Sequence, residues 1–257
     1  MRNGATKIRT EIRKKINIWI PETTVYYWIK KGTKPNITPI KLCPELGYIT
    51  GALLSDAGCQ DKVYLTVKDR DYAEEFAKAI FKVTGVRYEI KKKDSFFVVV
   101  LRGSPFRYIH RSKLWKVIAY VYTREFLQGL FDGDGTIGIG CSKKHLKASV
   151  FLTNSNIELL KYAKKLLLGY GIKSQILPHI ARKIRMVNGK PCIRKKKTMR
   201  LYIYSTEKFK EIGFKIRRKQ EKLIDVLYIL DKYGCGKRAV KEWKKTYQKV
   251  NNRWIKR

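Results

Sequence analysis

The sequence predicts an α+β fold built from two related halves, and three observations predict it. A nonapeptide, ITGALLSDA at residues 49–57, returns 78 residues later as LQGLFDGDG at residues 127–135. Each copy leads into a run in which polar and apolar residues alternate, the period of a half-buried strand. Behind each strand the apolar residues fall at helical spacing. The coarse order is α-β-β-α-β-β-α, twice, in a chain of 257 residues, enough for a substantial core.

The elements follow in order. IPETTVYYWIKKG, residues 20–32, has proline at its start and glycine past its end, the punctuation of a short helix. Preceded by the basic stretch 7–15, it predicts a small helix-turn-helix-like DNA-binding element over residues 1–40. The first half occupies residues 41–121. After its nonapeptide, Lys62, Tyr64, Thr66 and Lys68 alternate with Val63, Leu65 and Val67. Tyr72, Phe76, Ala79 and Ile80 then recur at helix period, and Gly85 closes that helix. Residues 86–103 read as strand, turn at Asp94–Ser95, strand. The second half, 122–223, repeats the scheme. A strand through 150–152 leads into SNIELLKYAKKLL, with Ser155 or Asn156 as N-cap and Glu158 in the first turn. Asn188-Gly189 marks a tight turn between two further strands. Residues 224–257 form a basic extension predicted to be helical.

Charge is the outlier in the composition. There are 58 Lys and Arg against 21 Asp and Glu, a formal +37. Such an excess calls for a polyanionic partner, nucleic acid before an anionic membrane surface. No apolar run is long enough to span a bilayer, and the N-terminus has no apolar signal core, so an intracellular, cytoplasmic protein is expected. Cys43, Cys59, Cys141, Cys192 and Cys235 form no C-x-x-C pair and are expected as reduced, mostly buried thiols.

The repeated nonapeptide carries the chemistry. Gly51 and Ser55 in the first copy, and Gly129 and Gly133 in the second, lie four apart and share a helix face. Small residues at this spacing let two helix backbones approach closely. Pairing the two helices would bring Asp56 and Asp134 together at their C-terminal ends. Two carboxylates there repel each other and the negative end of each helix dipole. A hard divalent cation relieves both, with carboxylate and backbone carbonyl oxygens as ligands. Beside a phosphodiester, such a site predicts metal-assisted hydrolysis.

These paired motifs resemble the signature of the LAGLIDADG homing endonucleases, in the single-chain, two-repeat form, of the archaeal intron-encoded type. The resemblance covers roughly residues 42–223. It implies two pseudo-symmetric αββαββα repeats packed through the motif helices, with saddle-like sheets lying on DNA. It also implies site-specific double-strand cleavage at a long non-palindromic target, leaving short 3′ overhangs. Mg²⁺ is the implied cofactor, with Mn²⁺ substituting and Ca²⁺ binding without supporting cleavage. The resemblance places catalysis and metal binding on Asp56 and Asp134, with the backbone oxygens of Ser55 and Gly133 as further ligands. Asp132 corresponds to Leu54, which implies a supporting role. The motifs depart from the family pattern at Ala57 and Thr50, and both acids are retained.

The family's polar or basic residues near the site map onto Lys68 and Asn154 at strand ends, and onto Arg217 and Lys219 before the last helix of the second repeat. Lys113 is the first-repeat candidate for that last position. Strand alternation assigns Lys62, Tyr64, Thr66, Arg87 and Lys91 to the DNA-facing side of the first half, and Lys183, Arg185, Lys195, Lys197 and Arg200 to that of the second. The expected partner of a monomeric chain is double-stranded DNA. Intron RNA is the alternative, for a maturase that binds without cutting, and a DNA-binding regulator on the same scaffold is a third reading. Two carboxylates gathered against a polyanion favour cleavage over both.

Overall fold

The computed structural model describes residues 2–16, 20–32, 39–59, 62–101, 104–179, 184–187, 190–193, 198–251 and 253–257. Two compact units result, Met1–Thr38 and Pro39–Arg257.

The first unit contains helices α1 (Arg2–Ile16) and α2 (Glu22–Lys31). Gly32 closes α2 with φ 59°, a left-handed backbone that glycine adopts without strain. Ala5 and Val25 are buried, and Arg9 pairs with Glu22 at 3.5 Å.

The second unit holds both repeats. The first runs α3 (Pro44–Leu53), β1 (Ala57–Cys59), β2 (Val63–Val67), α4 (Arg70–Thr84), β3 (Ile90–Lys93), β4 (Phe96–Leu101), α5 (Ser104–Arg111) and α6 (Leu114–Val121). The second runs α7 (Thr123–Asp134), β5 (Gly135–Cys141), β6 (Leu146–Asn154), α8 (Ile157–Gly169), β7 (Ser174–His179), a hairpin β8 (Ile184–Val187) and β9 (Lys190–Ile193), then β10 (Thr198–Ile203), a 3₁₀ turn at Lys208–Glu211 and α9 (Arg217–Tyr233). The antiparallel sheets have orders β1-β2-β4-β3 and β5-β6-β10-β7, the same topology with the β8–β9 hairpin inserted in the second.

Local chemistry explains the elements. β2 alternates buried and exposed along its whole length, as its sequence requires. Asp94, with φ 53°, turns β3 into β4. The Asn156 side chain accepts from the Leu159 amide and starts α8, which settles its N-cap. Val187 pairs with Lys190, while Asn188 and Gly189 between them lie outside the described residues. The motif helices are buried nearly all round, over 46–53 in α3 and 126–132 in α7, so they run through the centre. Tyr48, Ile49, Leu53, Phe126, Leu127, Leu130 and Phe131 are all at most 1% exposed.

Three expectations are corrected. The boundary at residue 223 falls inside α9, one continuous helix. The C-terminal extension is not all helical: α10 (Lys237–Thr246) is followed by the hairpin β11 (Tyr247–Val250) and β12 (Arg253–Lys256). The described cysteines are not mostly buried, because Cys43 and Cys141 are only half-buried and Cys235 is exposed. Among the described residues no helix is long and apolar enough to cross a membrane.

Candidate active site

Helices α3 and α7 touch backbone to backbone, and the contact is reciprocal. A Cβ on Gly51 would stand 2.2 Å from the Phe126 carbonyl oxygen, and one on Gly129 would stand 2.1 Å from that of Tyr48. Ser55 packs on Gly133, while its hydroxyl donates to the Gly51 and Ala52 carbonyls at 3.1 and 3.2 Å. The small residues therefore form the contact face expected from their spacing.

That crossing sets the two acids. Asp134 is the last residue of α7 and half-buried; Asp56 stands just beyond α3 and opens to solvent. Burial raises the pKa of Asp134 to about 7, and the charge of Asp56 adds to the rise. Asp56 is also raised by burial, because protein encloses it on the side away from solvent; the Lys219 charge opposes the shift. Asp134, the more enclosed of the two, is thus the carboxyl that takes up a proton first.

The surroundings of the two acids differ. Asn154 donates from Nδ2 to Asp134 Oδ2 at 2.5 Å, and its Oδ1 accepts from the Asn156 amide at 2.7 Å, which orients the amide group. Asn154 is therefore at the site, as expected. Lys68 is not its counterpart. Ala57 pairs with Leu65 and Gly135 with Leu152, so the residue equivalent to Asn154 is the buried Val67. A one-residue shift of register turns a side chain to the opposite face. Lys68 accordingly lies exposed on the outer face, its Nζ 5.4 Å from the Phe96 ring centroid.

Lys219 is the basic residue that reaches the acids. It is 8% exposed, and its Nζ donates to the carbonyls of Phe131, Asp132, Gly133 and Gly135 at 3.1, 2.5, 3.4 and 2.8 Å. An ammonium at the end of α7 satisfies carbonyls that the helix leaves unpaired and complements its dipole. Burial brings its pKa down to about 8, opposed by the charges of Asp132 and Asp56. Arg217 serves differently: its amide donates to Asp71 at 2.6 Å while its side chain is exposed. Arg218 makes a two-pronged pair with Asp69, at 2.5 and 2.6 Å. These contacts fasten the start of α9 to the first repeat. The charge of Lys113 acts on Glu158 of α8.

Asp132 anchors the same region. Buried to 1%, it accepts from the Tyr48 hydroxyl at 2.9 Å and from the amides of Lys215 and Ile216 at 3.1 and 3.3 Å. Burial lifts its pKa to about 6 against those bonds. Sequence reasoning missed Tyr72, which reads there as an ordinary core residue. Its hydroxyl is buried without a hydrogen-bond partner among the described residues; burial and then the charges of Asp56 and Asp132 hold its pKa well above the usual value.

On the outer face of the first sheet, Lys62, Tyr64, Thr66 and Lys91 are exposed as expected, and the Tyr64 ring lies across Gly58. Arg87 departs from expectation: its guanidinium sits 5.2 Å over Phe81 of α4, held by the helical layer. Arg200 lies 4.3 Å over Phe151 and bonds to Thr153, Tyr202 and His179. Lys183, Lys195 and Lys197, and the side chain of Arg185, lie outside the described residues.

The donors suit a hard divalent cation, since two carboxylates at converging helix ends supply oxygen only. Among the described residues no group of three His, Cys, Asp or Glu forms a fuller ligand set. The carbonyls at the end of α7 are drawn on by Lys219, so Asp56 and Asp134 would carry most of the protein's coordination, and the remaining positions would fall to water and phosphate oxygens.

The family model of the LAGLIDADG-like domain matches residues 122–217. That region's sheet order and glycine-paired motif helix recur in the preceding residues, so the LAGLIDADG-like domain of residues 122–217 has a structural counterpart in the first repeat. It is 28% identical to the uncharacterized protein MJ0398 of Methanocaldococcus jannaschii, over 87% of this chain and 89% of that one. Among solved structures it is similar to mesophilic variants of the homing endonuclease I-DmoI, at 15% identity and TM-score 0.46 over 66% of this chain and 93% of that one. It is also similar to the N-terminal LAGLIDADG domain of DUF199/WhiA, at 14% identity and TM-score 0.44, over 69% and 84% of the two chains.

Proposed function

We propose that the protein is a site-specific DNA endonuclease that makes a double-strand break at a long non-palindromic target, leaving short 3′ overhangs, with Mg²⁺ as cofactor. The observation that carries this reading is the pair Asp56 and Asp134, set at two touching helix ends where burial and mutual repulsion work against ionisation. A protein that only binds nucleic acid gains nothing by bringing carboxylates to a polyanion. This favours cleavage over a regulator or an intron-RNA maturase.

A divalent cation at the acids would supply activation of water and stabilisation of the leaving oxygen. The chain's own residues do the rest. Asn154 orients the Asp134 carboxylate. Lys219 fixes the end of α7 and places a positive charge beside both acids. Lys62, Tyr64, Thr66, Lys68, Lys91 and Arg200 present the outer sheet faces to DNA, and α1 and α2 add a second DNA-binding element. Both half-sites are in one chain, so it acts as a monomer. Mn²⁺ replaces Mg²⁺, and Ca²⁺ binds without supporting cleavage. The setting is intron homing within a prokaryotic cell.

The test is selection of cleaved sites from a randomised DNA library with Mg²⁺, against a Ca²⁺ control, with Asp56→Asn and Asp134→Asn beside the parent. Loss of cleavage with binding retained in both variants is expected. Full activity in either variant removes its assigned role; binding without cleavage under any divalent metal shifts the reading to a regulator or maturase.

A further inference from the structure

The C-terminal segment packs under the outer end of one hairpin. Ala239, Val240 and Trp243 of α10 and Tyr247 of β11 form a cluster with Val226 and Ile229 of α9 and Leu146 of β6, with Cys141 at its border. Trp243 stacks on Tyr247 at 4.0 Å and meets Trp254 edge-on at 5.9 Å. Lys222 donates to the Trp254 carbonyl at 2.7 Å, and the Leu146 amide to that of Cys235 at 2.8 Å. The segment is thus built into the fold at the end of β5–β6 furthest from the acids.

Its outer side is strongly cationic. Residues 235–257 contain nine Lys or Arg and one acid, Glu242. Glu242 pairs with Lys245, and Lys256 pairs with Glu221 and Asp225 of α9. Lys237, Lys241 and Lys244 follow one another at helical spacing on an exposed face of α10 that flanks the buried residues. They and Lys249 are exposed, and none is within ion-pair distance of an acid among the described residues. The charges of Lys244 and Lys249 reach Cys141 at the tip of β5. Lys147 stands exposed on the outer face of β6, opposite Gly140 and next to Leu146, which faces the cluster. Like charges gathered this way repel one another unless a polyanion covers them.

We infer that this clasp is an additional binding surface for the phosphate backbone of double-stranded DNA, outside the stretch covered by the second sheet. The inference rests on the proposed DNA-binding function. β5 extends seven residues from the acids to the clasp. At about 3.3 Å per residue this is roughly 23 Å, or about 7 base pairs of B-DNA. The clasp therefore grips DNA from about 7 base pairs outward on the second-repeat side alone, so the footprint is lopsided.

The experiment uses the full chain with K241Q/K244Q/K249Q, and K161Q/K164Q/K165Q on exposed positions of α8 as a control of equal charge change. Affinity for the selected DNA site is measured against salt, and hydroxyl-radical protection is mapped in Ca²⁺. In the clasp variant the slope of log affinity against log salt is expected to fall by about 2 to 3, near 0.9 per lost phosphate contact. Protection beyond about 7 base pairs should disappear on one side with the cut position unchanged. The control should leave both as in the parent. Equal effects of the two triple variants, or an unchanged outer footprint in the clasp variant, overturns the inference. So does loss of affinity for intron RNA alone. Failure of the parent to bind any DNA is a different result, since it removes the function on which the inference rests.

Discussion

Replacing Asp134 by Asn should make the protein more stable while abolishing cleavage. The substitution keeps the shape of the side chain and removes one charge from the acid pair. The folded-state pKa is about 7, against an ordinary value of 3.8. Between these values the folded chain keeps a proton that the unfolded chain has released, so stability falls as pH rises through that window. At 1.36 kcal/mol per pKa unit the full penalty above pH 7 is about 4 kcal/mol, and about 2 after allowing for the solvent that reaches a half-buried carboxyl. Asparagine removes it. Urea unfolding followed by circular dichroism in EDTA should therefore show the variant about 2 kcal/mol more stable at pH 8 and no more stable at about pH 3, under both pKa values. Added Mg²⁺ should stabilise the parent and leave the variant nearly unchanged, because only a ligand bound by the folded state shifts the equilibrium. A variant less stable than the parent at pH 8, or a gap that does not change with pH, would refute the electrostatic reasoning.

Gly129→Ala should unfold the crossing of α3 and α7, because its methyl would meet the Tyr48 carbonyl; a loss of about 3 kcal/mol or more in urea is expected. Asp132→Ala leaves the Tyr48 hydroxyl and the Lys215 and Ile216 amides without their acceptor and should lower stability by about 2 to 4 kcal/mol by the same assay. Lys219→Met should slow single-turnover cleavage about a hundredfold while DNA affinity changes little, since the ammonium faces protein carbonyls. Tyr72→Phe removes an unpaired buried hydroxyl, so the melting temperature without metal should hold or rise; a fall would show that the hydroxyl is bonded.

Much of this was legible in the sequence because it rests on local chemistry. Alternation in 62–68 gave β2, and the spacing of Gly51, Ser55, Gly129 and Gly133 gave the helix contact. The site's lateral contacts were harder to read. Leu65 follows Ala57 by eight residues and Leu152 follows Gly135 by seventeen, so the longer second hairpin hides the match of Asn154 with Val67. Only sheet pairing reveals it. Lys219 was a candidate by position, but its reach to four carbonyls depends on how α9 packs. Asp132 read as a supporting residue because Leu54 stands in its place, but that its support reaches a segment more than eighty residues away was not legible. The C-terminal hairpin was hidden by its lysines; Tyr247, Val250, Trp254 and Ile255 favour strand, and Asn251 takes the left-handed turn position with φ 47°.

The order in which the site's parts occur along the chain has a consequence for synthesis. Asp56 is made first, Asp134 follows 78 residues later, and Lys219 and the Arg218 link to Asp69 come only after both acids. Domains fold as their chains emerge. A nascent first repeat therefore carries DNA-binding surface and one acid but no complete centre. On the proposed function, a product truncated or stalled before α9 would bind chromosomal DNA without cutting it, and cleavage would be reserved for chains translated through α9.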